Sequence, residues 1–350
     1  MPDVPVRVHE LFLGYACNER CLFCSQEFAW RRDPFLPYED AARRAWTAYR
    51  DGARVLVING GEPTLYDPLE RLVAFARKTG FAEVHLQTNG LRLADPAYAA
   101  ALVRAGLTLA RFSIHGHTPA LHDAQTQVPG SFAKAWAGLE NLKGLGAEVG
   151  VNVVLNKLNL ASLAETTGWF VDQGAGDVGL IFPLFEGDMA HYEGRTRLTL
   201  TEAAAAVRAA FAEFRRRGAE PPFLLNMPPC VLPGYEGRIL RWGRDSAALY
   251  DRGRTLLVDP EDYRLDRPEA AKDLSASAVE GKAKPASCAA CVYADRCHGY
   301  ERRYLERFGA GELKPLKAVP EPFSRGWKGV RSWRRMLTRK EHEAIRAARA

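Results

Sequence analysis

Short apolar segments alternate with helix-like amphipathic segments along the first two thirds of the chain. The strand-like segments are Val6–Leu13, Arg54–Asn59, Glu83–Gln87, Leu109–Ile114, Val149–Leu155 and Asp177–Phe182. The helix-like segments that follow them are Tyr38–Asp51, Pro68–Thr79, Pro96–Ala105, Ser131–Leu145, Leu160–Gln173 and Thr201–Arg217. This alternation predicts a parallel α/β fold. Its length falls short of the roughly 250 residues of an eight-unit barrel, so an open six-stranded barrel and a doubly wound sheet both fit the pattern.

Helix boundaries carry capping signals. Asp67, Asp95 and Thr201 stand at or just before predicted helix starts, and five of the helices end at a glycine. Short polar side chains satisfy free N–H groups at a helix start, and glycine suits the turn that ends one.

The pattern becomes irregular and proline-rich at about residue 218. A strand-like segment at Thr255–Asp259 precedes a polar loop, and Tyr300–Phe308 and Thr338–Ala350 are helix-like. We therefore predict three regions: a barrel at 1–217, a cysteine-rich region at 218–312 and a basic tail at 313–350.

Composition limits the function classes. The 350 residues are 47% hydrophobic and 26% charged, as in ordinary globular proteins. We find no apolar run long enough for a membrane span and no signal peptide, so we expect a cytoplasmic protein without membrane association. The net charge of +6 is carried by residues 326–350, with eight Lys/Arg and two Glu. A neutral body with a basic tail does not resemble a dedicated nucleic-acid binder.

The seven cysteines form two groups separated by a long cysteine-free stretch. Cys17, Cys21 and Cys24 lie together, and Cys230 precedes a second group of Cys288, Cys291 and Cys297. An odd count without a signal peptide argues against a disulfide framework. Grouped thiolates instead predict two metal sites in a reducing compartment.

The first group, Cys17-Asn-Glu-Arg-Cys21-Leu-Phe-Cys24, directly follows the first predicted strand. Three thiolates can hold three irons of a 4Fe–4S cluster and leave the fourth iron open to a ligand. A zinc site completed by a distant ligand is the alternative.

These residues resemble the signature of the radical S-adenosylmethionine (radical SAM) enzymes, including the aromatic Phe23 before the last cysteine. The resemblance extends over about residues 7–217. Its further motifs follow successive predicted strands: Gly60-Gly61-Glu62-Pro63, Thr88-Asn89-Gly90, Ser113, and Asn152 with Asn156. It implies a partial (β/α)6 TIM-like barrel.

The resemblance also implies cofactors and roles. A 4Fe–4S cluster would bind S-adenosylmethionine, and an electron donor of the flavodoxin or ferredoxin type would reduce it. The resulting 5′-deoxyadenosyl radical would abstract hydrogen from substrate. The resemblance also places Phe23 among the cofactor-binding residues. Gly60 and Gly61 would let backbone approach the methionine end, and Glu62 would accept from its ammonium. Thr88 would contact the carboxylate, and Ser113 and Asn156 that end or the ribose.

One position departs from the family pattern. His115 stands where many relatives carry aspartate. It is either a proton donor or substrate contact, or a hydrogen-bonded structural histidine. No catalytic acid or base can be assigned from the sequence.

The second group resembles part of the auxiliary-cluster module called SPASM. Glu301 occupies the position of that module's next cysteine. Together, Cys230, Cys288, Cys291 and Cys297 could close a single auxiliary 4Fe–4S cluster, with structural zinc as the alternative. A closed cluster suits electron relay or a structural role.

The expected function is modification of a peptide or protein side chain by a crosslink or an oxidation. Only 16 residues precede Cys17, so recognition would use the barrel mouth, the C-terminal region or a partner. The alternatives are radical SAM modification of a small molecule, a cofactor or tRNA, and a non-enzymatic iron–sulfur carrier or scaffold.

Overall fold

The computed structural model describes residues 7–26, 35–240 and 281–323, together with two residue pairs at 256–257 and 272–273. The predicted tail helix at Thr338–Ala350 lies outside the described residues. Of the predicted strand Thr255–Asp259, only the pair Leu256–Leu257 is described, as a short strand.

Strands and helices alternate through the barrel region. The strands are β1 Arg7–Phe12, β2 Ala53–Asn59, β3 Glu83–Thr88, β4 Leu109–Ser113, β5 Glu148–Val154, β6 Val178–Ile181 and β7 Phe223–Leu225. The helices are α1 Tyr38–Arg50, α2 Leu69–Thr79, α3 Pro96–Ala105, α4 Pro119–Thr126, α5 Ser131–Gly144, α6 Leu163–Asp172, α7 Asp188–His191, α8 Glu193–Thr196 and α9 Leu200–Arg216.

The seven strands form one parallel sheet in the order in which they occur along the chain. The order runs from β1 to β7 without a pairing between these two ends, so the curled sheet is an open partial barrel. All carboxyl ends of the strands therefore lie at one edge, where α/β folds place their ligands.

The core lies between the sheet and the helices that cover it. Leu56, Ile58, Phe112 and Val153 from the strands are fully buried, as is Phe170 from α6. Burial of each such side chain contributes about 1.5–3 kcal/mol.

The predicted fold class and its six βα units are confirmed, and the structure adds a short seventh strand, β7. It also adds α4, which is too short and too polar to show a helical period. Thr118 caps this helix by accepting from Leu121 N at 3.3 Å, and Pro119 occupies its first turn.

Two capping predictions need correction. Helix α9 begins one residue early, because Thr199 rather than Thr201 forms a capping box with Glu202. Helix α2 starts after Pro68 without a side-chain cap. The third prediction is confirmed, since Asp95 accepts from Ala97 N at 2.9 Å at the start of α3.

The C-terminal segment 281–323 packs against the end of the barrel. After the short strands β8 Leu256–Leu257 and β9 Lys272–Asp273 come β10 Lys282–Ala283 and β11 Tyr300–Glu301, which pair antiparallel, and helix α10 Arg302–Phe308. The predicted helix over Tyr300–Phe308 therefore begins two residues late. None of the helices in the described ranges has the length and hydrophobicity to cross a membrane.

Candidate metal centres

The loop after β1 carries Cys17, Cys21 and Cys24, and three neighbouring elements fix it in place. The first is the loop after β2. Gly61 N donates to Gly14 O at 2.7 Å, and Glu62 N donates to Ala16 O at 2.7 Å. A Cβ at Gly61 would lie 2.2 Å from the carbonyl oxygen of Tyr15. Glycine is therefore required here because the two loops pair backbone to backbone next to Cys17.

Helix α4 supplies the second anchor. Arg20 N donates to Thr126 O at 2.9 Å, and Leu22 N donates to Gln125 O at 3.0 Å. Between these bonds and Cys24, the ring of Phe23 is buried and packs edge-on against His115, with centroids 4.4 Å apart. In this structure Phe23 thus holds the loop to the core of the barrel.

The connection between β6 and α9 supplies the third anchor. Met189 N donates to the carbonyl oxygen of Cys24 at 3.0 Å. Gly187 has a φ of +59°, and a Cβ there would lie 2.4 Å from the carbonyl oxygen of Ser25. The Cys24 end of the loop is therefore held as closely as the Cys17 end.

The three thiols have the surroundings of metal ligands. Glu19 N donates to Cys17 Sγ and Gln26 N donates to Cys24 Sγ, both at 3.4 Å. Burial raises the pKa of all three thiols, that of Cys24 to about 11. Loading at neutral pH therefore has to displace protons from the thiols. Three thiols with N–H donors aimed at two sulfurs fit the donor set of an iron–sulfur cluster.

Glu62 connects the loops after β2 and β3. Its Oε1 accepts from Thr64 N at 2.9 Å, Thr64 Oγ1 at 2.5 Å and Thr88 Oγ1 at 2.7 Å, and its Oε2 accepts from Asn89 N at 2.6 Å. A carboxylate has about four acceptor sites, and four bonds are made here. Burial outweighs these bonds and raises the pKa of Glu62. Glu62 and Thr88 therefore brace the strand ends, and the sequence-based expectation that they contact S-adenosylmethionine stays a prediction.

Asn89 is a site residue whose role could not be assigned from the sequence. Its Nδ2 donates to Asn18 Oδ1 at 2.6 Å and lies 4.0 Å from Cys17 Sγ. The Thr-Asn-Gly motif at the end of β3 was the available signal.

Ser113 and Asn152 face each other in register at the ends of β4 and β5. Within the described residues, Asn152 Oδ1 is buried without a hydrogen-bond partner, and no side-chain hydrogen bond is formed by Ser113. These groups keep hydrogen-bonding capacity for a ligand. Asn156 differs because it is fully buried, donating to Gln125 Oε1 at 2.7 Å and accepting from Leu158 N at 3.0 Å.

His115 and His122 form a buried stack behind the cysteine loop, with centroids 5.7 Å apart. His115 Nδ1 accepts from Val154 N at 3.2 Å, and His122 Nδ1 accepts from His115 N at 3.1 Å. Burial lowers the pKa of both, that of His122 to about 4, so both rings are neutral at pH 7. The structure therefore favours the hydrogen-bonded structural role for His115.

Glu19 lies between this stack and the thiols. Its Oε2 accepts from Cys21 Sγ at 3.3 Å, and its Oε1 lies 3.9 Å from His122 Nε2. Burial raises the pKa of Glu19 to about 8. The sequence offered no signal for this contact, because α4 was not predicted.

The second centre gathers thiols from two distant segments. Cys230 lies in a 3-10 turn, Pro229–Val231, after β7, and Cys288, Cys291 and Cys297 lie between β10 and β11. All four line one pocket together with Lys284 and Tyr293. Gly299 N donates to Cys297 Sγ at 3.3 Å. Across the described parts of the chain, no three Cys, His, Asp or Glu side chains form a ready-made site for a single metal ion.

Nearby charged side chains act on the thiol pKa values in opposite directions at the two centres. Burial raises the pKa of Cys230 to about 12 and also raises that of Cys288 and Cys297. At Cys288 and Cys297 the positive charge of Lys284 opposes this rise. At the first centre, carboxylates add to it, Glu62 at Cys17 and Asp188 at Cys24.

The comparison with known families agrees with this geometry. Residues 11–170, from the end of β1 to α6, match the Radical SAM superfamily. Over these residues the chain carries a radical SAM domain, which indicates an iron–sulfur enzyme.

Among individual relatives, the probable GTP 3′,8-cyclase of Sulfolobus acidocaldarius is 28% identical over 183 residues, which cover 51% of this chain and 58% of the cyclase. The AdoMet-dependent heme synthase of Nitratidesulfovibrio vulgaris is 28% identical over 151 residues, covering 43% of this chain and 41% of the synthase. The chain thus spans about half the length of these relatives, 58% of the cyclase and 41% of the synthase.

Two solved structures share the fold. The structure of anSMEcpe with bound AdoMet and Kp18Cys peptide aligns with a TM-score of 0.61 at 15% identity, covering 99% of both chains. Streptococcus suis SuiB bound to precursor peptide SuiA aligns with a TM-score of 0.53 at 15% identity, covering 63% of this chain and 48% of SuiB. At this identity the likeness concerns the fold alone.

Proposed function

We propose that this radical SAM enzyme modifies a peptide or protein side chain by a crosslink or an oxidation, and that it uses two iron–sulfur clusters. The observation that carries the proposal is the second thiol centre, in which Cys230 joins Cys288, Cys291 and Cys297 around one pocket. This centre sits in a segment packed against the barrel end. Both structures compared above hold a bound peptide, which supports a peptide substrate.

At the first centre, Cys17, Cys21 and Cys24 would hold the 4Fe–4S cluster that binds S-adenosylmethionine. When bound, these groups supply a 5′-deoxyadenosyl radical that takes hydrogen from substrate. The chain's own contribution is to hold the loop from three sides and to present Ser113 and Asn152 as hydrogen-bonding groups. An electron donor of the flavodoxin or ferredoxin type would serve this centre, in the reducing environment of the cytoplasm.

At the second centre, four thiols would close an auxiliary 4Fe–4S cluster, with zinc as the alternative. Positive charge near a cluster favours its reduced form, because reduction adds an electron to an already negative group. Lys284 beside Cys288 and Cys297 therefore suits this centre to accept an electron. A net oxidation of substrate releases such an electron, whereas a redox-neutral rearrangement does not.

A pocket beside the barrel mouth offers charged groups for substrate recognition. It has a volume of about 660 Å³ and lies among the loops after β5 and β6 and helix α10. Its lining includes Lys157, Arg197 and Arg307 as well as Glu193 and Glu202. Groups of both signs suit the mixed charges of a peptide better than a purely anionic ligand.

A small-molecule substrate is the second candidate, and the sequence relatives favour it. Several of them are named probable GTP 3′,8-cyclase, at 28–31% identity. The cluster-carrier alternative is not supported, since the chain is a radical SAM enzyme.

The deciding experiment is anaerobic. The reconstituted enzyme receives S-adenosylmethionine and dithionite, and 5′-deoxyadenosine is quantified by mass spectrometry beside a Cys17/Cys21/Cys24→Ala variant. We expect 5′-deoxyadenosine from the wild type only. Parallel reactions with a peptide library and with GTP should then show a mass loss of two hydrogens in a peptide. Consumption of GTP with unchanged peptides would replace the proposal by the second candidate.

A further inference from the structure

The segment between β6 and α9 contacts both the first thiol loop and helix α10 of the C-terminal segment. We call residues 185–193 the bridge segment. Its sequence begins Phe185-Glu186-Gly187-Asp188-Met189 and continues through α7 to Glu193. A polar loop at this edge of the barrel is an ordinary place for substrate contacts. The contacts below show a different use.

On one side, the bridge segment holds the Cys24 end of the first thiol loop. Met189 N donates to Cys24 O at 3.0 Å, and the side chains of Asp188 and Met189 are buried. At Gly187 the backbone has a φ of +59° and a ψ of −140°, a conformation that glycine alone adopts readily. A Cβ there would also collide with Ser25 O. The contact with the loop therefore leaves no room for a side chain at residue 187.

On the other side, the bridge segment holds the C-terminal segment. The ring of Phe185 packs edge-on against Tyr304 and Phe308 of α10, at centroid distances of 5.6 and 5.1 Å. Glu186 Oε2 accepts from Arg303 at 2.9 Å, and Glu193 accepts from Arg307 at 2.5 Å. Helix α10 begins five residues after Cys297, so these contacts fix the chain that leaves the second centre.

We propose that the bridge segment is a positioning element that transmits the packing of α10 to the Cys24 end of the first thiol loop, with Gly187 as its tight contact and Phe185 as its anchor. The inference rests on the cluster at the first centre but not on the identity of the substrate. The physical reason is that close-packed groups transmit a displacement to their neighbours. A change at Phe308 shifts Phe185, the shift reaches Met189, and the Cys24 carbonyl and thiol follow.

Such a shift has a spectroscopic consequence. The reduction potential and magnetic signature of a thiolate-bound cluster depend on hydrogen bonds to its sulfurs and on its solvent exposure. Gln26 N donates to Cys24 Sγ two residues from the bridge contact. The first cluster should therefore report changes made at α10, although α10 contributes no ligand to it.

The test uses the reconstituted full chain and needs no turnover. We would compare Gly187→Ala with Gly176→Ala, where a Cβ meets nothing within 4 Å. We would also compare Phe308→Ala with Phe308→Leu, which keeps an apolar side chain of similar reach. The readouts are iron per chain and the electron paramagnetic resonance spectrum and midpoint potential of the reduced cluster that responds to S-adenosylmethionine.

We expect Gly187→Ala and Phe308→Ala both to shift the potential and spectrum of that cluster beyond the difference between wild type and Gly176→Ala, with Phe308→Leu close to wild type. The proposal is overturned if Phe308→Ala matches wild type at full iron content, whatever Gly187→Ala does. Should Gly187→Ala fail to fold, the Phe308 pair decides alone. A failure of the peptide-substrate proposal would leave these spectra unaffected, so the two failures are distinguishable.

Discussion

The two thiol centres are built in opposite ways. The first takes all its cysteines from residues 17–24 and is held by backbone hydrogen bonds to three other parts of the barrel. The second joins residue 230 to residues 288–297, so it forms only when the C-terminal segment is docked. The first is a local loop made rigid by its neighbours, whereas the second depends on long-range folding.

Their electrostatic surroundings differ as well. At the first centre Glu62 and Asp188 raise the pKa of Cys17 and Cys24, whereas at the second centre Lys282 and Lys284 act to lower the pKa of Cys297. Negative charge near a cluster lowers its reduction potential, so the reduced cluster is a stronger electron donor. The contrast suits a first centre that gives an electron and a second that receives one.

The largest expected effect separates the centres by function. Cys21→Ala should reduce 5′-deoxyadenosine formation to background, because the first cluster loses a ligand. Cys291→Ala should retain 5′-deoxyadenosine formation but lose modified substrate, since the proposed electron acceptor loses a ligand. Both products are measured by mass spectrometry. Wild-type rates of substrate modification by Cys291→Ala would rule out the relay role.

Alanine in place of Gly61 or of Gly299 should disturb one centre each and leave the other intact. A Cβ at Gly61 would lie 2.2 Å from Tyr15 O beside the first centre, and a Cβ at Gly299, where φ is +87°, would lie 2.3 Å from Ala283 O beside the second. We expect each to destabilise its own region by roughly 2–4 kcal/mol, in the range of backbone strain and overpacking.

Iron content, cluster spectra and urea unfolding measure the effect of these glycine variants. Gly176→Ala serves as the neutral control. If Gly61→Ala left the first cluster intact and disturbed only the second, the account of the loop pairing would be wrong.

Acid should weaken the barrel through a buried histidine in β1. Burial lowers the pKa of His9 to about 4 from an ordinary 6.5. Between these values the unfolded chain takes up a proton that the folded chain does not, so stability falls as the pH drops from about 6.5 towards 4 and levels off below. From pH 7 to pH 5 this amounts to roughly 2 kcal/mol.

Replacing His9 by glutamine should remove most of this pH dependence. Urea unfolding at pH 7 and pH 5 measures it, with His191→Gln as an exposed control on α7. Equal losses of stability in wild type and His9→Gln would show that other groups carry the acid sensitivity.

The smallest expected effect concerns the charge beside the second centre. Lys284→Gln should make reduction of the second cluster less favourable by on the order of 1 kcal/mol, because a nearby positive charge is lost. Its midpoint potential should fall accordingly. The first cluster should keep its potential. Redox titration followed by electron paramagnetic resonance measures both, with the exposed Lys317→Gln as control. A shift in the first cluster alone would reverse the comparison.

The barrel could largely be predicted from the sequence, because periodic burial is a local property. The strands β1 to β6 lie within one residue of their predicted bounds at every end. The Gly-Gly-Glu and Thr-Asn-Gly motifs were also placed correctly at strand ends. The contacts that these motifs make could not be predicted from the sequence. Gly61 is needed for the approach to Tyr15 and Ala16, and Glu62 is occupied by Thr64, Thr88 and Asn89, partners distant in sequence or hidden in a turn.

What the sequence by itself determined is therefore the alternation of strands and helices, the cysteine spacing and the class of chemistry. These depend on residue type and short-range spacing. Only the tertiary structure decided that α4 and the bridge segment hold the first loop, and that lysines rather than carboxylates lie beside the second centre. Such contacts join residues far apart along the chain, and their energies depend on distances that no local pattern records.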